Sequence, residues 1–276
     1  MPEILSHFVT QLFYFFGIIF LIGFLISLIN RNFYKLVNYN RGVCLATGLL
    51  GTPVHELSHA LMCVVFRHKI DEIKLFQADD ENGVLGYVRH SYNPKKLWQK
   101  IGNYFIGTAP IFCGALVILL ATSLLLPYTY DEISLSLNSF ADMQGEVLSS
   151  EWLSAYWDVF CGILVSLSTE SFNSWEIWVF LVLVTCIAMH MNLSGADIKN
   201  ALPSIPILLL VLFALNCLLG FVFPAIYEEY LSVISYAGGF LSGVLLFAMT
   251  MSLIYLVLGL LIKLAIGLIK KIFHLR

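Results

Sequence analysis

Two histidines and a glutamate lie within five residues of one another, inside a long apolar run. Residues 52–59 read Thr-Pro-Val-His-Glu-Leu-Ser-His, which contains the pattern His-Glu-x-x-His. Residues i and i+4 of an α-helix share a face, so the imidazoles of His55 and His59 can bind one Zn²⁺ ion. Glu56 is next to His55 and can deprotonate a water molecule without binding the ion itself. The spacing therefore predicts a zinc site with Glu56 as its general base.

Catalytic zinc normally has three protein ligands, and the third is expected near residue 190. Asp197 follows an apolar run and, apart from Glu176 at the opposite end, is the only acidic residue in or beside that run. His190 lies seven residues earlier, about two helical turns, and on one continuous helix the two residues would share a face. We predict Asp197 as the ligand, with His190 as the alternative ligand or as a hydrogen-bonding partner of the site.

The composition is that of an integral membrane protein. Of the 276 residues, 59% are hydrophobic and 12% are charged, whereas soluble domains have about 25% charged residues. The net charge of −3 contains no basic excess for binding nucleic acid, and the six cysteines are spread singly rather than as a disulfide framework. A charge at bilayer depth costs on the order of 2.5–3.5 kcal/mol, so a cluster of three ionisable groups there points to function rather than to packing.

Six apolar runs approach the roughly 20 residues that a transmembrane helix needs. They are Gln11–Ile29, Val43–Phe66, Tyr104–Leu126, Trp175–Met191, Ile205–Phe223 and Gly238–Ile262. We predict an all-α integral membrane protein with about six transmembrane helices and a cytoplasmic β-hairpin insertion. A shorter amphipathic segment, Trp152–Ser168, is expected to lie in the membrane interface.

The 15 Lys and Arg residues orient the chain. Loop 67–103 holds seven of them and loop 127–174 holds none. If all six runs cross the membrane, twelve lie on one side and three on the other; if Val43–Phe66 is re-entrant, all fifteen lie on one side. Both topologies predict a cytoplasmic loop 67–103, a cytoplasmic C-terminus and an external loop 127–174, and we expect the chain in the cell membrane.

Loop 67–103 contains two β-prone segments, 73–77 and 84–89, around a turn-rich sequence at 79–83. We predict a β-hairpin that dips towards the site, with Gly86 and Tyr87 as candidate substrate contacts. A free strand edge can pair with an extended peptide. The alternative is a hairpin that only caps the helices.

These motifs resemble the site-2 protease family of intramembrane zinc metallopeptidases, over about residues 48–203. The segment 55–61 looks like the family's first signature, and 107–114 resembles the Gly/Pro-containing stretch of the next helix. The segment 192–197 resembles the second signature, although Ile198 stands where the family usually has glycine. The resemblance implies that His55, His59 and Asp197 bind zinc, that Glu56 activates water, and that Asn192 supports the site or contacts substrate.

By this resemblance the chain has three parts: a first transmembrane helix and basic loop (1–42), a metalloprotease core (43–203), and C-terminal transmembrane helices with a basic tail (204–276). We expect a zinc metalloendopeptidase that cleaves membrane-protein substrates within or near their transmembrane segments.

Two alternatives stay open: a catalytically inactive zinc-binding scaffold or chaperone, and a metal transporter. Glu56 favours the protease, because a scaffold needs no general base. A transporter needs a polar track, whereas the last two runs offer few polar residues, namely Asn216, Ser242, Thr250 and Ser252. The remaining histidines (7, 68, 90 and 274) are expected to be solvated.

Overall fold

The computed structural model describes residues 2–79, 83–141 and 149–272. The elements are, in order, α1 (Pro2–Leu12), a π-helical turn (Phe13–Gly17), α2 (Ile18–Leu36), α3 (Arg41–Val65), β1 (Lys69–Lys74), β2 (Tyr87–Ser91), α4 (Leu97–Leu125), α5 (Pro127–Ala141), α6 (Ser150–Thr169), α7 (Trp175–Met189), α8 (Gly195–Ala201), a 3₁₀ turn (Leu202–Ser204), α9 (Ile205–Val222) and α10 (Pro224–Ile272). The predicted all-α class and the hairpin are both present, while residues 80–82 of the predicted turn lie outside the described residues.

Among the described residues, four helices are long and apolar enough to cross a membrane. They cover Glu3–Leu36, Leu97–Leu125, Gly195–Val222 and Pro224–Ile269. Helix α7 is apolar but has only 15 residues. Helix α3 has 25 residues but is not one of the four, since its polar residues, including the two histidines and Glu56, lower its hydropathy. These four helices are consistent with an integral membrane protein, and the crossing of the membrane by α3 and α7 stays a prediction.

The first and last helices extend well beyond the apolar runs that predicted them. The run Gln11–Ile29 lies within one continuous helical stretch from Pro2 to Leu36, and α10 has 49 residues. Helix α10 starts at Pro224, and proline suits a first helical position because its missing N–H has no intrahelical partner there. Hydrophobicity therefore located these helices but did not mark their ends.

Helices α2, α4, α7 and α10 share one apolar core. Ile26, Ile118, Ile177 and Phe247, one from each helix, are almost completely buried in it. Helix α3 packs against α4 and α7 beside this core. The bundle thus holds α3 between two elements whose positions are fixed by packing.

The loop between α4 and α7 is folded against the same core. Ile133 and Leu137 of α5 and Trp152, Val159 and Ile163 of α6 are buried in it. The amphipathic segment 152–168 is helical, as its periodicity predicts. Its apolar face packs against α5 and α10, and the location of the segment in the membrane interface stays a prediction.

The β-hairpin runs along α3. Its strands are antiparallel, with Lys69 opposite Ser91. Strand β1 begins just beyond the end of α3, and the far end of the hairpin reaches the start of α3, where the Arg41 guanidinium donates a hydrogen bond to the carbonyl of Ala78 at 3.0 Å. The hairpin therefore covers much of one side of the helix that carries the His-Glu-x-x-His motif.

Candidate metal centre

Helix α3 brings the two motif histidines together. Their ring centroids are 4.8 Å apart, and the two Nε2 atoms are 3.1 Å apart. The i, i+4 spacing places both rings on the same face, and the Asn40 side chain caps the helix by accepting a hydrogen bond from the N–H of Val43 at 3.2 Å. This part of the site follows from local helical geometry.

Asp197 reaches the histidines from the first turn of α8. Its Oδ1 atom is 3.4 Å from Nε2 of His59, and ligand atoms of His55, His59 and Asp197 all lie within 4.8 Å of one another. The other oxygen, Oδ2, accepts a hydrogen bond from the N–H of Ser194 at 2.8 Å, and Oγ of Ser194 accepts one from the N–H of Asp197 at 3.1 Å. This reciprocal capping box fixes the carboxylate. Oδ2 caps α8, and Oδ1 is left to face His59.

Backbone carbonyls set the protonation of both rings. Nδ1 of His55 lies 2.7 Å from the carbonyl oxygen of His190, and Nδ1 of His59 lies 2.7 Å from that of Ile106. A carbonyl only accepts hydrogen bonds, so each Nδ1 carries the hydrogen and each Nε2 keeps a lone pair. Such outer contacts orient metal-binding histidines and fix their tautomer.

The donor set fits a zinc ion. Two Nε2 lone pairs that face each other at 3.1 Å repel unless a proton or a cation lies between them. Ligands of a tetrahedral zinc ion, bound at about 2.0–2.1 Å, are roughly 3.3 Å apart. Two of the three pairs here, His55 with His59 and His59 with Asp197, are close to that separation at 3.1 and 3.4 Å, and all three ligand atoms lie within 4.8 Å of one another. Two imidazoles and a carboxylate also leave a fourth position for water, as catalytic zinc sites do.

Glu56 is next to this cluster and is covered by the hairpin. The residue is only 7% exposed. A Cβ atom added to Gly86 would lie 3.0 Å from Cγ of Glu56 and 2.7 Å from Cγ2 of Thr52. The hairpin backbone therefore approaches the predicted general base to a distance that only glycine permits.

The structure groups Asp197 with the two histidines and leaves the His190 ring outside that group. The His190 ring donates from Nδ1 to the carbonyl of Cys186 at 3.0 Å, and its own carbonyl accepts the hydrogen bond from His55. The expectation that His190 and Asp197 share a helix face was wrong, because α7 ends at Met189 and α8 begins only at Gly195. His190 thus contacts the site through its backbone carbonyl and not through the imidazole ring, and a role for that ring stays a prediction.

Asn30 is a residue of the site that sequence reasoning missed. It is 1% exposed on α2, and its Nδ2 atom donates to the carbonyls of Ala188 (2.9 Å) and Met189 (3.2 Å) and to Oδ1 of Asn192 (2.8 Å). It therefore holds the end of α7, from which the chain continues to Asp197. The sequence feature that could have identified Asn30 is its position directly after an apolar run. A side-chain amide there is costly in a membrane unless it has a hydrogen-bonding partner.

The two hairpin residues that we predicted as substrate contacts differ in position. Gly86 lies against Glu56, as described above. The Tyr87 hydroxyl donates to Glu72, and the Arg89 guanidinium lies 4.8 Å from the centre of the Tyr87 ring. Tyr87 is thus engaged within the hairpin itself, and Gly86 is the hairpin residue that approaches the motif.

His68 is buried, contrary to the expectation that it is solvated. It is 6% exposed, and its Nε2 atom lies 2.7 Å from the carbonyl of Gln99. Its Nδ1 atom lies 3.1 Å from Nδ1 of His90 on β2. This imidazole pair joins the base of the hairpin to the junction of α3 and α4.

No protein-family model, curated protein or solved structure matches this chain. The likeness to the site-2 protease family is therefore carried by the motif residues alone.

Proposed function

We propose that the chain is an intramembrane zinc metalloprotease of the site-2 protease type. The observation that carries the proposal is the grouping of His55, His59 and Asp197, with Glu56 as their neighbour on α3. A bound zinc ion would supply Lewis-acid chemistry, which polarises a peptide carbonyl and lowers the pKa of water. The chain holds two imidazoles and a fixed carboxylate close enough together to bind such an ion.

Glu56 is the residue for proton transfer. It would take a proton from the attacking water as the bond between the carbonyl carbon and the water oxygen forms. It would then deliver that proton to the nitrogen of the scissile peptide bond, so that the carbon–nitrogen bond breaks with an amine as the leaving group. Its place one residue from His55 keeps the carboxylate beside the cluster but outside the set of ligands.

The apolar surroundings of the site favour a transmembrane substrate. Ile106, whose carbonyl contacts His59, lies near the start of the apolar run Tyr104–Leu126 of α4. A peptide helix has its carbonyls in hydrogen bonds and must unwind to present one to the site. The hairpin backbone beside Glu56 offers a strand edge for such an unwound segment.

A transport function has less support. Ser242, Thr250 and Ser252 donate hydrogen bonds to carbonyls of their own helix, and Asn216 is bonded to Gln11 and Tyr227. Side chains satisfied within the bundle do not form the open polar track that an ion would need.

The test compares the wild-type chain with Glu56→Gln, each produced in the same host membranes, by mass spectrometry of new peptide N-termini. We expect wild type to generate termini within transmembrane segments and Glu56→Gln to generate none, although both bind zinc equally. Glu176→Gln, at the far end of α7, is the matched control and should behave as wild type. Equal patterns from wild type and Glu56→Gln would overturn the proposal and leave a metal-binding scaffold as the better description.

A further inference from the structure

The junction between α3 and α4 contains a pocket with two cationic side chains. Val65, Arg67, Lys96, Trp98 and Gln99 line it, and its volume is about 530 Å³. Among residues 2–79, 83–141 and 149–272, neither cation belongs to an ion pair, since the ion pairs of basic side chains there are Lys69 with Asp71 and Arg89 with Glu72, beside His59 with Asp197. The pocket therefore offers two positive charges without a protein counter-charge.

Hydrogen bonds from α4 hold the walls of this pocket. The Gln99 side chain donates to the carbonyl of Arg67, and Nε1 of Trp98 donates to the carbonyl of Val65 at 3.2 Å. The Trp98 ring also packs on Phe66, with ring centroids 4.8 Å apart. The first turn of α4 thus satisfies the carbonyl of Val65, the last residue of α3, and that of Arg67 just beyond it, which fixes the backbone from which the Arg67 side chain extends.

The backbone at Arg67 is unusual for an arginine. Its φ angle is +57°, in the left-handed region, and the N–H of His68 bonds to the carbonyl of Cys63 at 2.8 Å, which closes α3. Glycine is the usual residue at this position after a helix, because a side chain makes the conformation less favourable. An arginine retained in a strained conformation points to a use for its guanidinium.

An exposed apolar stripe leads along α3 to this pocket. Leu57 (50% exposed), Leu61 (54%) and Val64 (66%) follow one another at spacings of four and three residues, so they lie on one face. In a membrane protein such a stripe faces acyl chains. The half-exposed Trp98 stands where the stripe meets the cations, and tryptophan is enriched at that level of a membrane.

We propose that this pocket binds the phosphate of an anionic phospholipid, whose acyl chains lie along the stripe of Leu57, Leu61 and Val64. The apolar stripe and the cationic pocket adjoin, which matches a ligand with a charged head and apolar tails. Arginine suits phosphate because its guanidinium donates two parallel hydrogen bonds. Lys96 adds a second positive charge to the lining of the pocket. The bound lipid would thereby tie the end of the motif helix to the start of α4.

The test uses the full chain in a neutral detergent and counts bound lipids by native mass spectrometry. Phosphatidylglycerol, phosphatidylcholine and inorganic phosphate are added separately. We expect at least a fivefold preference for phosphatidylglycerol over phosphatidylcholine in wild type, and loss of that preference in the double variant Arg67→Gln/Lys96→Gln. The control Arg31→Gln/Lys35→Gln removes two exposed charges from α2 and should keep the preference.

Three results would overturn the proposal. Wild type does not prefer phosphatidylglycerol; the preference survives in Arg67→Gln/Lys96→Gln; or inorganic phosphate competes with the lipid as well as phosphatidylglycerol itself does, which would identify a free-anion site. Should the double variant fail to fold, quenching of Trp98 by brominated lipids decides the question in wild type, with Trp98→Phe as the reference. Stronger Trp98-dependent quenching by brominated phosphatidylglycerol than by brominated phosphatidylcholine supports the site, and equal quenching refutes it.

Discussion

Nδ1 of His55 lies 2.7 Å from the carbonyl oxygen of His190, a residue 135 positions later in the chain. This contact joins the motif helix to the end of α7 and leaves Nε2 of His55 as the atom that faces His59. The tautomer that metal binding requires is therefore set by the fold before any ion arrives. The same contact shows why the position where α7 ends matters to the chemistry, because one more helical turn would engage the His190 carbonyl within the helix.

Asp197→Asn should lose zinc while keeping its helix. The asparagine oxygen still accepts the hydrogen bond from the Ser194 N–H, so the cap of α8 is maintained. The negative charge next to His59 disappears, and we expect zinc affinity to fall by roughly a hundredfold, because only two good ligands remain. Metal content after dialysis against a zinc buffer measures this.

Asp158→Asn is the control for that experiment, since Asp158 is an exposed residue of α6. Its zinc content should equal that of wild type. One full equivalent of zinc in Asp197→Asn would show that Asp197 is not a ligand.

Asn30→Ala should weaken the metal site from a distance. It removes one donor to each of the carbonyls of Ala188 and Met189. The N–H of Met191 and the side-chain amide of Asn192 still donate to them, so the loss is that of ordinary hydrogen bonds, about 0.5–1.5 kcal/mol each. The chain that leads to Asp197 loses its anchor as well, so we expect roughly a tenfold loss of zinc affinity. Zinc titration measures the loss of affinity, and thermal unfolding of the same samples measures the loss of stability.

Asn138→Ala is the control. It removes an exposed asparagine, bonded to Tyr236, and should change neither the zinc affinity nor the unfolding temperature appreciably. If Asn30→Ala binds zinc as tightly as wild type, the contacts of Asn30 with α7 do not position the ligand.

Gly51→Ala should separate α3 from α7. An added Cβ would overlap the carbonyl oxygen of Cys186 and the ring of His190. Overpacking of this kind typically costs 1–3 kcal/mol, and the shift of α3 would also lengthen the contact between His55 and His190. We expect a lower unfolding temperature together with reduced zinc content.

Gly162→Ala on α6 tests the same substitution where space is available, because the nearest atom to the new Cβ is Oγ of Ser136 at 3.5 Å. Alanine favours a helix over glycine by about 1 kcal/mol, so this variant should be as stable as wild type or more so. Equal behaviour of the two variants would contradict the close approach at Gly51.

The hairpin should loosen below about pH 6.5. Burial lowers the pKa of both His68 and His90 from the usual 6.5; the neighbouring His68 lowers the pKa of His90 further, while Asp71 raises it. The folded state thus favours the neutral rings. The neutral pair contributes fully to the stability of the folded state above the unfolded-state pKa of about 6.5. That contribution is lost as the pH falls towards the lower pKa values of the folded state.

Hydrogen exchange of the β1 and β2 amides, corrected for the intrinsic effect of pH, measures this loosening. Protection should fall on acidification in wild type and change much less in His68→Gln/His90→Gln. Identical profiles for the two proteins would show that the pair does not control the hairpin.

Sequence periodicity predicted what depends on neighbouring residues. The approach of His55 to His59 follows from helical geometry alone. Alternation predicted a hairpin with strands at 73–77 and 84–89, whereas the strands are Lys69–Lys74 and Tyr87–Ser91, so the pattern located the hairpin but not the bounds of its strands. The choice between Asp197 and His190 depended on where α7 ends, which is set by long-range contacts such as those of Asn30. The burial of His68 and of α6 likewise results from packing between distant segments, and a local pattern does not encode it.

Helix α10 has 49 residues, a length of about 74 Å at 1.5 Å per residue, whereas the hydrocarbon layer of a bilayer is about 30 Å thick. Even at a tilt of about 40°, the upper end of the usual range, α10 would extend about 56 Å along the membrane normal, well beyond the hydrocarbon layer. A thinner or thicker host membrane would therefore change the length of α10 that is exposed to water, and both ends of the helix would stay outside the hydrocarbon layer.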